Sequence, residues 1–436
     1  TNRNLDLAVA GSGFFRFMDT SGEVVYSRNG QLTMQSNGNL VNAQGFQIMG
    51  YGLNAQGQVQ VGGQPVPLNV SAEELAASAT TNAATVLNLD SRKNVSDELS
   101  VVEVNGTEIN YHYANNFTVY DSLGNPVNTT VYYEKVGDNL WQAKVVADGN
   151  YDANNDFLMR FNANGALVGV GDPIAQNLID DLAEAEATLS AFQAVFAEMQ
   201  EMDAADWSAL ADAAAREAYV RGLNNNPNVQ AALDGTNFDD LDEVVAALQT
   251  GTNSAQTARN LANQNVNNAV AALTGNQREL TFESNNGAQD VVFNLNLAGS
   301  TQFGNSSTVS SLTQNGYTSG TLVGITINED GTIMRNYSNE QSRPAGQIAL
   351  ATFRNPEGLT PAGDNVWRAS NESGQELVGA PGTGLLGGIV SGAVETSNVD
   401  MARELVDMIV AQRAYQANSQ TIKTQDELLQ TAINLR

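Results

Sequence analysis

Hydrophobic and polar positions change period several times along this chain. Over residues 1–70 they alternate: Val24 with Tyr26, Leu32 with Met34, Phe46 with Ile48, with Asn29-Gly30, Asn37-Gly38 and Gln44-Gly45 falling between the runs. A period of two puts successive side chains on opposite faces of a strand, and Asn-Gly suits the positive φ angles of a type I′ turn. A β-rich module of short hairpins is predicted there. The small, polar stretch 71–85 reads as a connector. A second β region opens near VLNLD (86–90) and continues through 115–147. There Thr118 and Tyr120, then Val131 and Tyr133, alternate about the turn DSLGNP, and Trp141 is expected to cap a small core.

Near residue 173 the period shifts. Leu178, Leu182, Ala185, Leu189, Phe192, Phe196 and Met199 follow at alternating spacings of four and three, the stripe of an amphipathic helix. Further helices are predicted over 204–222, 227–233, 238–250 and 254–273, punctuated by Gly222, Pro227, Gly235 and Gly251, with Asp203 as an N-cap. Strand-like sequence resumes at 278–297 and at 320–338, where Asp330-Gly331 marks a hairpin. The helices therefore interrupt a β region that the chain leaves and rejoins, the pattern of an insertion.

The last forty residues, 397–436, hold neither Gly nor Pro and predict one long helix. Met401, Met408, Tyr415, Ile422 and Leu429 recur at strict sevens. A second series, Leu405, Gln412, Ser419, Asp426 and Ile433, is apolar only at its ends. Ser397 or Asn398 can cap the start, with Asp400 and Glu404 near the positive end of the helix dipole. A sevenfold repeat sustained this long means association with other helices. A helix in a domain core would show a similar stripe. However, ~38 residues at 1.5 Å each make ~57 Å, more than a small domain is wide. The Gly-rich stretch 379–393 also reads as a loosening joint before it. The partner expected is another chain, or a segment missing from this one.

Composition narrows the function classes. At 436 residues two to four domains are expected, and 42% apolar content supports real cores. No run of about 18 apolar residues suggests a membrane span. The start, TNRNLDLAVAGSGFFRF, lacks the regions of a secretory signal. The net charge of −28 comes from 48 acids against 20 bases, which argues against nucleic-acid and anionic-membrane partners. Half of it lies within 170–250, where 16 acids face two bases, Arg216 and Arg221, for a net −14. The absence of Cys excludes disulfides and thiolate metal sites.

Candidate chemistry is thin. GTGLLG matches G-x-G-x-x-G through Gly382, Gly384 and Gly387, but it follows Ala380-Pro381 and lacks a βαβ unit, so a flexible joint is the better reading. DANND (152–156) opens like a calcium loop, yet Phe157 and Ala163 occupy the positions that need Gly and Glu. His112 is the one histidine and has no nucleophile-elbow context. Paired acids such as Asp239-Asp240 read as solvated charge. No catalytic, cofactor-binding or metal-binding residue is nominated, and no cofactor is expected.

At its ends the chain carries a resemblance. SNVDMARELVDMIVAQRAYQANSQTIKTQDELLQTAINLR closely resembles the C-terminal signature of the bacterial flagellar axial proteins, the family that builds rod, hook and filament junction. DLAVAGSGFFRFMDTSGEVVYSRNGQLTMQSNGNLVNAQGFQIMGY (6–51) resembles the module after that family's N-terminal helix. FTVYDSLGNPVNTTVYYEK and YTSGTLVGITINEDGTIMRNYSNEQSRPAGQIALATFRNPEGL are similar to the hook branch rather than to the shorter rod proteins. The resemblance covers roughly 1–170 and 280–436 and leaves out the acidic helices. Family members begin with an amphipathic helix and a linking segment that this sequence does not include, so Thr1 reads as a truncated or renumbered start.

The resulting expectation is a mainly β chain with α, in several domains. An inner β-rich domain takes 1–80 with 318–394, and an outer β domain takes 85–172 with 278–317. An inserted helical domain occupies 173–277, and a C-terminal coiled-coil helix 395–436. The resemblance implies a structural subunit that polymerises with itself into the flagellar hook, outside the cell and exported without a cleaved signal. It also implies the distal rod protein, hook cap and hook-filament junction proteins as partners. In that setting Met401, Leu405, Met408, Tyr415, Ile422, Leu429 and Ile433 would pack the helix into the inner tube. The competing reading is an extracellular β-scaffold adhesin or a polysaccharide-acting enzyme.

Overall fold

Phe14–Met18 runs through the larger of two sheets in which the first seventy residues meet the chain from 322 to 391. In the computed structural model, which describes residues 3–284 and 286–434, it pairs antiparallel with Val24–Ser27, Gln47–Tyr51 and Leu350–Thr352. Gln47–Tyr51 pairs onward to Ser342–Ile348, then to Thr332–Tyr337 and the edge strand Leu322–Ile327. A smaller sheet holds Asp6–Ala10 between Gly388–Ser391 and Gly30–Gln31. Of the alternating residues read from the sequence, Leu32 and Ile48 lie in this core and Phe46 packs against it, while Met34 is exposed; Leu7, Phe15, Phe17, Leu40, Ile333, Ile348 and Leu350 supply much of the rest. This unit comprises the chain up to Leu75 and from Gly320 onward. A second comprises Ala76–Ser319.

The turns differ from the type I′ chemistry expected of Asn-Gly. Asp19, Asn42, Asn54, Asp121 and Asn162 each open a five-residue turn with a Gly at its fourth position. In the first, Gly22 N–H donates to Asp19 O at 3.1 Å and Asp19 N–H to Glu23 O at 2.9 Å. The Asp19 carboxylate then accepts from the N–H groups of Ser21 and Glu23 at 2.8 and 2.9 Å. The same side-chain pattern recurs at Asn42, Asn54, Asp121 and Asn162. Only the Gly takes positive φ, +87° at Gly22 and +85° at Gly45, so these are three-residue loops closed by a glycine bulge. Gln35–Asn39 has the same backbone bonds. Asn29-Gly30 is no turn at all, because Gly30 lies in a strand where a Cβ would come within 2.3 Å of Leu7 O. Successive positive φ angles occur instead at Asn105-Gly106 and Asp148-Gly149, both between paired strands.

In the second unit an antiparallel sheet runs Tyr113–Tyr120, Pro126–Gly137, Leu140–Ala147, Phe157–Phe161, Leu167–Gly171. Another places Asn82–Asp90 parallel to Val291–Asn296 and Thr301–Phe303 and antiparallel to Thr308–Gln314. Both contribute to one core containing Tyr133, Trp141, Phe157 and Phe293. Trp141 is at its centre rather than a cap: it is fully buried, and its indole N–H donates to Gln302 Oε1.

Between Leu167–Gly171 and Gln277–Phe282 come five helices: α1 (Gln176–Glu201), α2 (Ala204–Ala209), α3 (Ala213–Gly222), α4 (Pro227–Ala232) and α5 (Leu241–Ala271). Asp203 caps α2 as expected, accepting from Asp206 N–H. The helix predicted over 204–222 is split, because Asp212 turns its side chain to cap α3. The two helices predicted over 238–250 and 254–273 are one. Gly251 does not break α5, since it is where Phe192 of α1 lies against the backbone, and a Cβ there would sit 2.2 Å from Phe192 Cε1. Phe192, Val195, Trp207, Val220 and Leu248 share the helical core.

Candidate assembly interface

The terminal helix α6 spans Met401–Asn434, 34 residues or ~51 Å at 1.5 Å each. Its cap is Asp400 rather than Ser397 or Asn398. The carboxylate accepts from Ala402 and Arg403 N–H at 2.9 and 3.3 Å, and Asp400 O accepts from Glu404 N–H. Ser397 Oγ instead accepts from Val399 N–H. With Glu404 in the first turn, negative charge faces the positive end of the dipole.

All seven residues expected to pack this helix lie on α6, and no residue of α6 is buried. Their exposure runs from 54% at Leu405 to 81% at Met401. At 100° per residue Met401, Leu405, Met408, Tyr415, Ile422, Leu429 and Ile433 follow one slowly drifting face. In the C-terminal half, Thr421, Thr424 and Thr431 turn their hydroxyls back to the carbonyls of Ala417, Gln420 and Glu427. The heptad reading missed Val406, Ile409, Val410 and Leu428, also large, apolar and exposed. Val406 and Val410, four apart, make a second stripe away from the first. The first three turns of α6 are therefore apolar around most of their circumference, a property of helices that are enclosed. Each Met, Leu or Ile covered there would contribute roughly 1.5–3 kcal/mol.

The other candidates have local structural duties. His112 Nδ1 accepts from Lys135 N–H at 3.1 Å, so Nε2 carries the proton and faces Asn94 O at 3.2 Å, while the ring stands edge-on to Trp141. Asp152 caps a single turn, and Asp156 accepts from the Tyr151 hydroxyl at 2.7 Å, with burial raising its pKa. Asp239 pairs with Arg216, and Asp240 caps α5. GTGLLG is a turn closed by Gly382 N–H to Gly387 O at 3.0 Å and Leu386 N–H to Thr383 O at 3.0 Å, not a loose joint. Among the described residues no group of three or more His, Asp or Glu side chains could hold a metal ion. Among the described residues no helix is long and apolar enough to cross a membrane.

Known families match most of the chain outside residues 318–389. The flagellar hook protein FlgE/F/G D1 domain matches residues 8–82. The flagellar basal body protein FlaE D2 domain matches 88–208 and 212–317, and the flagellar basal body rod FlgEFG protein C-terminal matches 390–435. Over 441 aligned residues the chain is 35% identical to the flagellar hook protein FlgE of Escherichia coli K12, covering 100% of this chain and 83% of that one. It is 34% identical, with the same coverage, to the flagellar hook protein FlgE of Salmonella typhimurium. To that of Borreliella burgdorferi it is 27% identical, covering 100% of this chain and 80% of the relative. Similarity of this extent runs through both units, including the helices of the second, and through α6, and the chain belongs to the bacterial flagellar hook protein family.

Proposed function

We propose that the chain polymerises with copies of itself into the flagellar hook, the flexible joint that carries torque from rod to filament, and that α6 is its principal assembly element. The observation that carries this reading is a 34-residue helix with a sustained apolar repeat and no buried residue. In the polymer, α6 would join helices of neighbouring subunits in an inner tube. The β units would lie outside and shift slightly against their neighbours as the hook turns, spreading the bend over many small displacements. The ends of such a polymer would meet the distal rod protein, the hook cap and the hook-filament junction proteins. The subunit would work outside the cell, exported without a cleaved signal. Its role is mechanical, not catalytic, and the adhesin or polysaccharide-acting reading finds no support in relatives that are hook proteins over the whole chain.

Electron microscopy of the purified chain, at rising concentration and salt, tests the reading. Tubes of uniform diameter are expected, with no turnover of a polysaccharide panel. A chain that stays monomeric throughout, or hydrolyses a polysaccharide, refutes it.

A further inference from the structure

Between the β body of the first unit and α6 the chain passes through residues 394–400, all exposed. Among the described residues one hydrogen bond ties this stretch to the body: Arg28 Nε donates to Glu395 Oε2 at 2.6 Å. Both terminal nitrogens of the Arg28 guanidinium are already held by backbone carbonyls. Nη1 donates to Gly11 O at 3.0 Å and Gly13 O at 2.7 Å, and Nη2 to Val9 O at 3.0 Å. Gly11 and Gly13 have φ of +124° and +128°, so the backbone that presents their carbonyls to Arg28 is one that other residues rarely adopt. Held at three carbonyls, the planar fork has one direction left for Nε. Beside it runs a groove of about 770 Å³, with Phe14, Leu359 and Trp367 on the body and Glu395–Val399 along the other side.

We propose that Arg28 is a positioning residue for the terminal helix. It fixes the point at which the chain leaves the β body, Glu395 is the latch, and the stretch beyond it pivots about that point. This deepens the assembly reading and rests on it. A pinned origin with a free pivot lets α6 settle at slightly different angles while each β body keeps its own contacts, as a bending polymer requires.

The chain has no Cys, so spin labels at Ser36→Cys and Thr396→Cys report the body-to-latch distance in the full chain by double electron–electron resonance. A single narrow distribution is expected with the latch intact. Glu395→Gln should widen it about twofold, as untethered chain samples its linker reach. Glu395→Asp should lie between the two. Raising salt to ~1 M, where the Debye length is ~3 Å, should move the latched protein toward the Gln variant. The melting temperature of the β body should not move, because the Glu395 side chain is 41% exposed and Arg28 keeps its three carbonyl bonds. Equal widths with and without the carboxylate overturn the proposal. So does a melting temperature that falls with Glu395→Gln, which would make the pair a stability contact. Microscopy of the unaltered chain keeps the two readings apart: absence of tubes refutes the polymer and leaves the distance measurement standing.

Discussion

Arg16 grips Glu376 across 360 residues of sequence, its Nε and Nη2 each donating to a different carboxylate oxygen at 3.0 Å. The Tyr26 hydroxyl adds a third bond to Glu376 at 2.6 Å, and Arg16 Nη1 points at the Met49 sulfur at 2.9 Å. The network joins the two N-terminal strands that carry Arg16 and Tyr26 to the loop before Leu377–Gly379.

Burial by itself would raise the pKa of Glu376, but the bonds from Arg16 and Tyr26 and the guanidinium charge outweigh it and hold the carboxyl below its ordinary 4.5. A depressed folded pKa gives stability that is present above the unfolded value and lost as pH falls through the folded one. Glu376→Gln should therefore destabilise the first unit by about 1.5–3 kcal/mol at neutral pH. The difference should shrink below about pH 4.5, as Glu376 takes up a proton. Denaturant melts of both proteins between pH 7 and pH 3 check this. A constant difference across that range contradicts the assignment.

Gly251→Ala should loosen the helices rather than strengthen them. Alanine is the better helix former by about 1 kcal/mol, but its Cβ would enter the Phe192 ring, and overpacking costs about 1–3 kcal/mol. A lower melting temperature is expected. Phe192→Leu in the same chain should recover part of the loss, because residues in contact do not add independently. Full additivity of the two changes would argue against the clash.

Replacing 173–277 with a short Gly-Ser linker should leave tube formation intact. Val170 bridges Thr274, and Arg160 Nη2 donates to Leu273 O at 3.2 Å, so the two ends of the helical stretch lie side by side. Sixteen acids against two bases within 170–250 would repel their neighbours within a Debye length of ~8–10 Å unless screened. Negative-stain images of the shortened chain decide the matter, and failure to polymerise would make the helices a building contact.

Leu405→Asp with Met408→Asp should block assembly and spare folding. Both side chains are more than half exposed, so the change removes little packing within the chain. A lone amphipathic helix is marginal in water. Residues from 397 onward are therefore expected to exchange amide hydrogens quickly in the monomer and slowly in the polymer. Strong protection in the monomer, or loss of the β-unit melting transition in the double variant, would count against α6 as the assembly element.

Helix α6 was legible in the sequence because its information is local: an unbroken run without Gly or Pro, an apolar repeat, and an acid at its start. The first stripe of apolar residues was legible for the same reason, while Val406 and Val410 escaped a search for a single heptad seam. The strands around Tyr26 and Ile48, and those around Tyr120 and Tyr133, also announced themselves, since a period of two states which face turns inward. Local signals misled where a neighbour distant in sequence decided the outcome. Gly251 reads as a helix break until Phe192 occupies the space it leaves, and Asn29-Gly30 reads as a turn until Leu7 lies against it. Turn type at Gly22 and Gly45 depended on the Asp or Asn three residues earlier, whose side chain closes the loop. The pairs Arg16–Glu376 and Arg28–Glu395 had no sequence signal at all. A periodic pattern records what a segment of backbone can do alone. Which segments meet depends on the chain closing hundreds of residues upon itself, against the entropy of that closure, and only the summed burial of both β cores outweighs that.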